Sequence, residues 1–191
     1  MPRRTSFAVF VDRDGTVCFD KHYLSDPNGI ELIPTVAEGV KKMNEAKIPV
    51  ILVTNQSGIG RGYFTERTLG GIHTRLKEIL RESSAEVDDI FHCPHLPNSG
   101  CTCRKPEPGM LLQAKKKHGL DLSKSFVVGD RMMDVEMAHR VKATGVLVPE
   151  PGDQYHVDDE IRASKEKPDF RAKTFLEAVD WILSMTSERK R

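Results

Sequence analysis

Residues 7–17 read FAVFVDRDGTV, and this stretch decides the fold. Five consecutive apolar residues, Phe7, Ala8, Val9, Phe10 and Val11, suit a strand buried on both faces, as in a parallel sheet covered by helices. The run stops abruptly at Asp12 and Asp14, and Gly15 with Thr16 lets the chain turn away. Open α/β sheets bind their ligands outside the carboxyl ends of the strands. Two carboxylates crowded there repel each other unless a cation lies between them or one holds a proton. Asp-Gly is also a common turn pair, so a functional reading needs support from the rest of the chain.

That support comes from an alternation of apolar runs with helical patterns. Further strands are predicted at Val50–Val53, Val87–Phe91, Ser125–Val128 and Gly145–Val148. Thr35 and Glu38 form a capping box ahead of Val36, Val40 and Met43, and Pro49 closes that helical element. Thr65 to Arg81 carries Leu69, Ile72, Leu76, Ile79 and Leu80 as a buried stripe, weakened by Gly70 and Gly71. Helices are also predicted from Pro108 to His118, ended by Gly119, and around Asp134 to Val141. A polar loop spans Glu150 to Lys167. Thr174 and Glu177 then cap a last helix, whose Phe175, Leu176, Trp181 and Ile182 read as core. The pattern predicts an α/β fold, a Rossmann-like parallel sheet with helices on both faces, as one domain over residues 1–191.

Composition narrows the function classes. The 191 residues carry a formal net charge of +1, with basic residues dispersed apart from Arg3, Arg4 and the terminal SERKR, so no nucleic-acid partner is expected. No apolar run approaches the ~20 residues that cross a bilayer, and MPRRTSF does not open like a signal peptide. A cytoplasmic location without a membrane partner follows as the expectation. Oligomeric state is open, and a monomer is compatible with everything in the chain.

Three of the four cysteines fall between Cys93 and Cys103, which in a reducing compartment points to metal rather than disulfides. Cys93 and His95, followed by Cys101 and Cys103, make a C-x-H…C-x-C set able to close a tetrahedral structural zinc site within a loop at residues 92–105. Free thiols or a disulfide are the alternative, and His92 competes with His95. Cys18 reads as a small apolar residue, and His73, His118, His139 and His156 show no partner pattern.

Four polar clusters stand at comparable places along the alternation: Asp12 with Asp14, Thr54, Lys105 before Pro106, and Asp130 with Asp134 in GDRMMD. Carboxylates, a hydroxyl and an amine at one sheet edge suit phosphoryl transfer, with Mg²⁺ as the natural cation for hard oxygen donors. DRDGTV, the strand-end Thr54, CRKP and GDRMMD, in that order, resemble the four signatures of haloacid dehalogenase-type phosphatases. The resemblance implies that Asp12 is a nucleophile forming an aspartyl-phosphate. Asp14 would be general acid and then base, holding its proton through acidic neighbours. Thr54 and Lys105 would hold phosphoryl oxygens. Mg²⁺ would be bound by Asp12, the Asp14 carbonyl and Asp130, with Asp134 in an outer position.

The metal loop beside CRKP, together with TNQSGIGRG, narrows the resemblance to the heptose-bisphosphate and histidinol-phosphate phosphatase group. Ser57, where an acid would suit an amino-alcohol, favours a sugar bisphosphate; the five residues between His95 and Cys101 also occur in the histidinol branch. By position, the resemblance implies substrate contacts from Asp20, Lys21, His22, Tyr23, Thr54, Asn55, Gln56, Ser57, Arg104, Lys105 and Arg131. No large cap domain is expected, so the site should be open to a small sugar phosphate. Alternatives are a histidinol-phosphate phosphatase, a DNA 3′-phosphatase, whose family shares a TNQ-x-G-I-x-R-G stretch, and a non-catalytic zinc-stabilised binding module.

Overall fold

The structure is a computed structural model that describes residues 5–188; Arg3, Arg4 and the last three residues of SERKR lie outside the described residues. Among the described residues, six strands form one parallel sheet: β1 Val9–Val11, β2 Val50–Asn55, β3 Asp89–Cys93, β4 Phe126–Gly129, β5 Thr144–Leu147 and β6 Phe170–Arg171. Their spatial order is β3-β2-β1-β4-β5-β6. The helices are α1 Val36–Glu45, α2 Ser57–Gly60, α3 Glu66–Glu82, α4 Gly109–His118, α5 Met132–Arg140, α6 Gln154–Ala163 and α7 Phe175–Glu188.

Side chains along a strand alternate between faces, so each apolar run supplies two cores. Val9, Val11, Val50, Leu52, Phe126 and Val128 face one side, covered by Val36, Val40 and Met43 of α1, Leu76 and Leu80 of α3, and Phe175, Val179 and Ile182 of α7. Ala8, Phe10, Ile51, Val53 and Val127 face the other, covered by Met110, Leu111 and Ala114 of α4 and by Met137 and Ala138 of α5. This double burial is why the strand runs read as continuous rather than alternating. Trp181 stacks on Phe170 at 4.6 Å between ring centroids.

Several local expectations are corrected. Thr35 stands at the N-cap of α1, where its carbonyl accepts from the Gly39 N–H at 3.0 Å, but its side chain makes no cap bond: at φ +72° its hydroxyl accepts from the Leu176 N–H at 3.4 Å, so the docked start of α7 takes the group that local sequence offered to α1. That helix stops at Glu45, before Lys47 at φ +61°, rather than at Pro49. Strand β3 runs to Cys93, two residues beyond the predicted end, because its pairing with β2 continues to Asn55. The stretch predicted as a polar loop contains α6 and leads to β6; Val157 is buried among Met132, Val135 and Leu147, with Ile161 beside them, so packing against α5 and β5 supports a helix whose own apolar content is slight. At α7 the expected box forms in modified shape: the Thr174 hydroxyl accepts from the Glu177 N–H at 3.2 Å, while the Glu177 carboxylate accepts from the Lys173 N–H at 2.7 Å.

Candidate active site

From β1 the chain runs outward to β2 and β3 on one side, and β4 to β6 occupy the other, so the order reverses between β1 and β4. Such a reversal opens a crevice at the carboxyl strand ends. Asp12 follows β1 and Asp130 follows β4, which places both carboxylates at that crevice. Asp134 lies in the first turn of α5, and Thr54 near the end of β2.

Lys105 enters from the loop before α4. Its ammonium nitrogen is 2.8 Å from Asp12 Oδ1 and 2.7 Å from Asp134 Oδ1, with all three side chains nearly or fully buried. The Lys105 backbone N–H donates to the Asn55 side-chain oxygen at 3.1 Å, tying this loop to the end of β2. Carboxylate oxygens of Asp12, Asp130 and Asp134 all lie within 4.8 Å of one another. Gly15 makes this crowding possible: it sits at φ +80°, and a Cβ there would lie 2.4 Å from Asp130 Oδ2. The Thr16 hydroxyl donates to Asp130 Oδ1 at 3.3 Å.

One ammonium opposes three carboxylates. Burial pushes the Asp12 carboxyl up to about 7 despite the pull of Lys105. Burial, reinforced by Asp12 and Asp134, pushes Asp130 up to about 9. Burial works against the Lys105 charge, yet Asp12 and Asp134 hold its ammonium above the ordinary lysine range. A buried trio of hard oxygen donors that is short of positive charge fits a small divalent cation, and Mg²⁺ takes such donors.

Asp14 departs from expectation. Its carboxylate is met not by other acids but by the Arg13 guanidinium, with Nε 2.9 Å from Oδ1 and one terminal nitrogen 2.6 Å from Oδ2. Gln56 Nε2 donates to Oδ2 at 2.8 Å and to the Thr54 hydroxyl at 2.8 Å. Arg13 was not singled out from sequence, although its place between the two aspartates was the available signal.

The second cluster is the cysteine loop. Cys93, His95, Cys101 and Cys103 bring their donor atoms within 4.8 Å of one another, with Cys93 Sγ 3.5 Å from His95 Nδ1 and 3.7 Å from Cys101 Sγ. Zinc bonds of about 2.1–2.3 Å in a tetrahedron span donor separations of this order. Hydrogen bonding led by the Ser99 side chain lowers the Cys101 thiol to about 6, while burial pushes Cys93 up to about 12. His92 faces away from the cluster and pairs with Glu66 at 2.9 Å.

The remaining expected substrate residues divide. Thr54, Asn55, Gln56 and Ser57 gather at the end of β2 and the start of α2, and Arg104 and Lys105 line a cavity of about 440 Å³ beside the cysteine loop. Arg104 is anchored by a 3.2 Å bond to the His95 carbonyl. Asp20, Lys21 and His22 are exposed: the Asp20 N–H donates to Glu150 and Lys21 pairs with Glu31. Tyr23 packs edge-on against Tyr63 at 4.8 Å between centroids. Arg131 is held by Glu160 of α6, with His156 also in contact. The other histidines are likewise partnered: His73 with Arg13, His118 with Asp89, and His139 with Glu166 and Asp169.

Comparison with known proteins adds a second line. The HAD-hydrolase-like family model matches residues 102–178. A D-glycero-beta-D-manno-heptose-1,7-bisphosphate 7-phosphatase of Pseudomonas aeruginosa is 41% identical over 141 residues, 73% of this chain and 79% of that protein. A D-glycero-D-manno-heptose-1,7-bisphosphate 7-phosphatase of Thermosynechococcus vestitus is 36% identical over 99% of this chain and 100% of its own length. The crystal structure of D,D-heptose 1,7-bisphosphate phosphatase from B. bronchiseptica, complexed with magnesium and phosphate, superposes with a TM-score of 0.84 at 28% identity, covering 94% of this chain and 99% of that one.

Proposed function

Since the chain belongs to the haloacid dehalogenase-like phosphatases, in the branch of the heptose-1,7-bisphosphate 7-phosphatases, we propose that it removes the 7-phosphate of a D-glycero-D-manno-heptose 1,7-bisphosphate through an aspartyl-phosphate. The observation that carries the chemistry is the buried Lys105 ammonium bracketed by Asp12, after β1, and Asp134, in the first turn of α5.

An Asp12 carboxylate oxygen attacks phosphorus as the bond to the sugar oxygen breaks, and that leaving oxygen takes a proton through Asp14, which acquires it from solvent because Arg13 and Gln56 only donate to its oxygens. Asp14 then takes a proton from water as the water attacks the phosphoryl group, which frees phosphate and restores Asp12. Lys105 and Thr54 hold the phosphoryl oxygens, and fixed positive charge there favours the transition state. Asp12, Asp130 and the Asp14 carbonyl would hold Mg²⁺, with Asp134 outside them, and the bound ion offsets charge on the transferring group. Cys93, His95, Cys101 and Cys103 would hold zinc, fixing the loop that presents Arg104 and Lys105, and such thiolates fit a reducing, cytoplasmic setting.

For the sugar and its second phosphate, the cavity lined by Arg104 supports recognition by a guanidinium fork, and Asn55, Gln56, Ser57, Asp20, Lys21, His22, Tyr23 and Arg131 are proposed as further substrate contacts. The test is phosphate release with Mg²⁺ from both heptose 1,7-bisphosphate anomers and from histidinol phosphate, compared by kcat/KM. A large preference for a bisphosphate is expected, with turnover abolished and fold kept in Asp12→Asn. Preference for histidinol phosphate, or full activity in Asp12→Asn, would overturn the reading.

A further inference from the structure

Arg13 heads the largest fully buried side chains. A buried guanidinium needs a partner for every arm it turns inward. Two arms grip Asp14, as described, and the third points to α3, where its nitrogen is 3.4 Å from His73 Nε2. A guanidinium only donates, so His73 Nε2 accepts and the ring is neutral, with its proton on Nδ1. Burial, then the Arg13 charge, lowers His73 to about 3, in agreement with that state. Behind His73, the His92 ring lies edge-on at 6.1 Å, and His92 pairs with Glu66 near the start of α3. A continuous line of contacts thus runs from α3 to Asp14. On the other side of Asp14, Gln56 and the Thr54 hydroxyl, 2.8 and 3.5 Å from Oδ2, mark the edge that faces the strand ends.

We infer that His73, acting through Arg13, is a positioning residue that sets the orientation of Asp14 for proton transfer to an alkyl leaving oxygen; this rests on the phosphatase reading above. The physical reason is steric and directional. An acid must come within about 2.6–3.2 Å of the oxygen it protonates. A displacement of about 1 Å costs on the order of 10²-fold. Asp14 is held from behind by a fork, and the fork is held from behind by one acceptor. Without that acceptor the third arm is buried and unpaired, and the guanidinium turns to find another partner, taking the carboxylate with it.

The experiment uses the full chain with His73→Leu, which removes the acceptor at similar volume, and His73→Gln, which returns one. Each variant is assayed with Mg²⁺ on a sugar phosphate and on p-nitrophenyl phosphate, whose leaving group needs no proton, and Tm is recorded alongside. His73→Leu is expected to lose about 10–100-fold in kcat on the sugar phosphate, with KM unchanged, while its first-turnover release of p-nitrophenolate stays at the wild-type rate. His73→Gln is expected to recover most of the loss. Equal losses on both substrates, or no loss, in an active, folded series would overturn the positioning role alone. A wild-type chain inactive on both substrates would overturn the phosphatase reading and this inference with it.

Discussion

The Lys105 ammonium stands 2.8 Å from Asp12 Oδ1, although β2, β3, three helices and the cysteine loop separate the two residues along the chain. The same nitrogen reaches Asp134, so one side chain joins β1, the loop before α4 and the first turn of α5. Removing one partner of a buried charge pair leaves the others uncompensated. Lys105→Met should therefore lower kcat/KM by about 10²–10³-fold and also lower Tm. Added Mg²⁺ should recover part of the Tm but not the activity; a Tm insensitive to Mg²⁺ in both proteins would argue against a cation at the carboxylate trio.

Gly15 is constrained by conformation and by space, with φ +80° and Asp130 Oδ2 2.4 Å from the position of a Cβ. Gly100 shares the conformation, at φ +69°, but has nothing within 4 Å of that position. The left-handed backbone alone costs a non-glycine residue about 1–3 kcal/mol. Gly15→Ala should exceed Gly100→Ala in destabilisation, measured by urea unfolding, and should also weaken Mg²⁺ binding. Equal effects would show that the Asp130 contact relaxes freely.

Zinc content should be about one ion per chain if the four-donor cluster is closed by metal. Strong chelation, or Cys103→Ser, should lower Tm and reduce activity by loosening the segment that carries Arg104 and Lys105. An isolated chain without zinc and with full activity would contradict this.

His139 bridges α5 to the segment before β6, with Nδ1 2.7 Å from Glu166 and Nε2 3.0 Å from Asp169. Carboxylates only accept, so the doubly protonated ring satisfies both contacts. Burial opposes the charge, but the bonds to Glu166 and Asp169 raise His139 above the ordinary histidine value. The stabilisation is then complete below the unfolded-state value of about 6.5 and fades as pH rises through the higher folded-state value. The stability difference between wild type and His139→Gln should be largest near pH 5.5 and should shrink at alkaline pH, as read by chemical denaturation at several pH values; a difference independent of pH would exclude the charged bridge.

Much of this architecture is written in local pattern. Runs such as Phe7–Val11 and Val50–Val53 are apolar at successive positions because their strands are buried on both faces. Their abrupt polar ends mark where chemistry gathers, so Asp12, Thr54 and Asp130 stand out in the chain itself. The cysteine cluster was equally visible, because its donors come from one short loop.

What local pattern could not supply are relationships set by elements distant in the chain. Helix α6 has one fully buried residue, Val157, and exists as a packed element because α5 and β5 cover that residue. Thr35 offers a cap that α7 takes for itself. Arg13 reads as an ordinary charged residue in a turn until α3 brings His73 to its third arm. Burial on two faces and its sudden loss are properties of neighbouring positions, so the parallel sheet and the residues at its strand ends are legible in the chain alone. Which distant charges pair is a matter of packing: the Lys105 ammonium meets Asp12 and Asp134 because whole helices dock on the sheet, and no spacing along the chain encodes those distances.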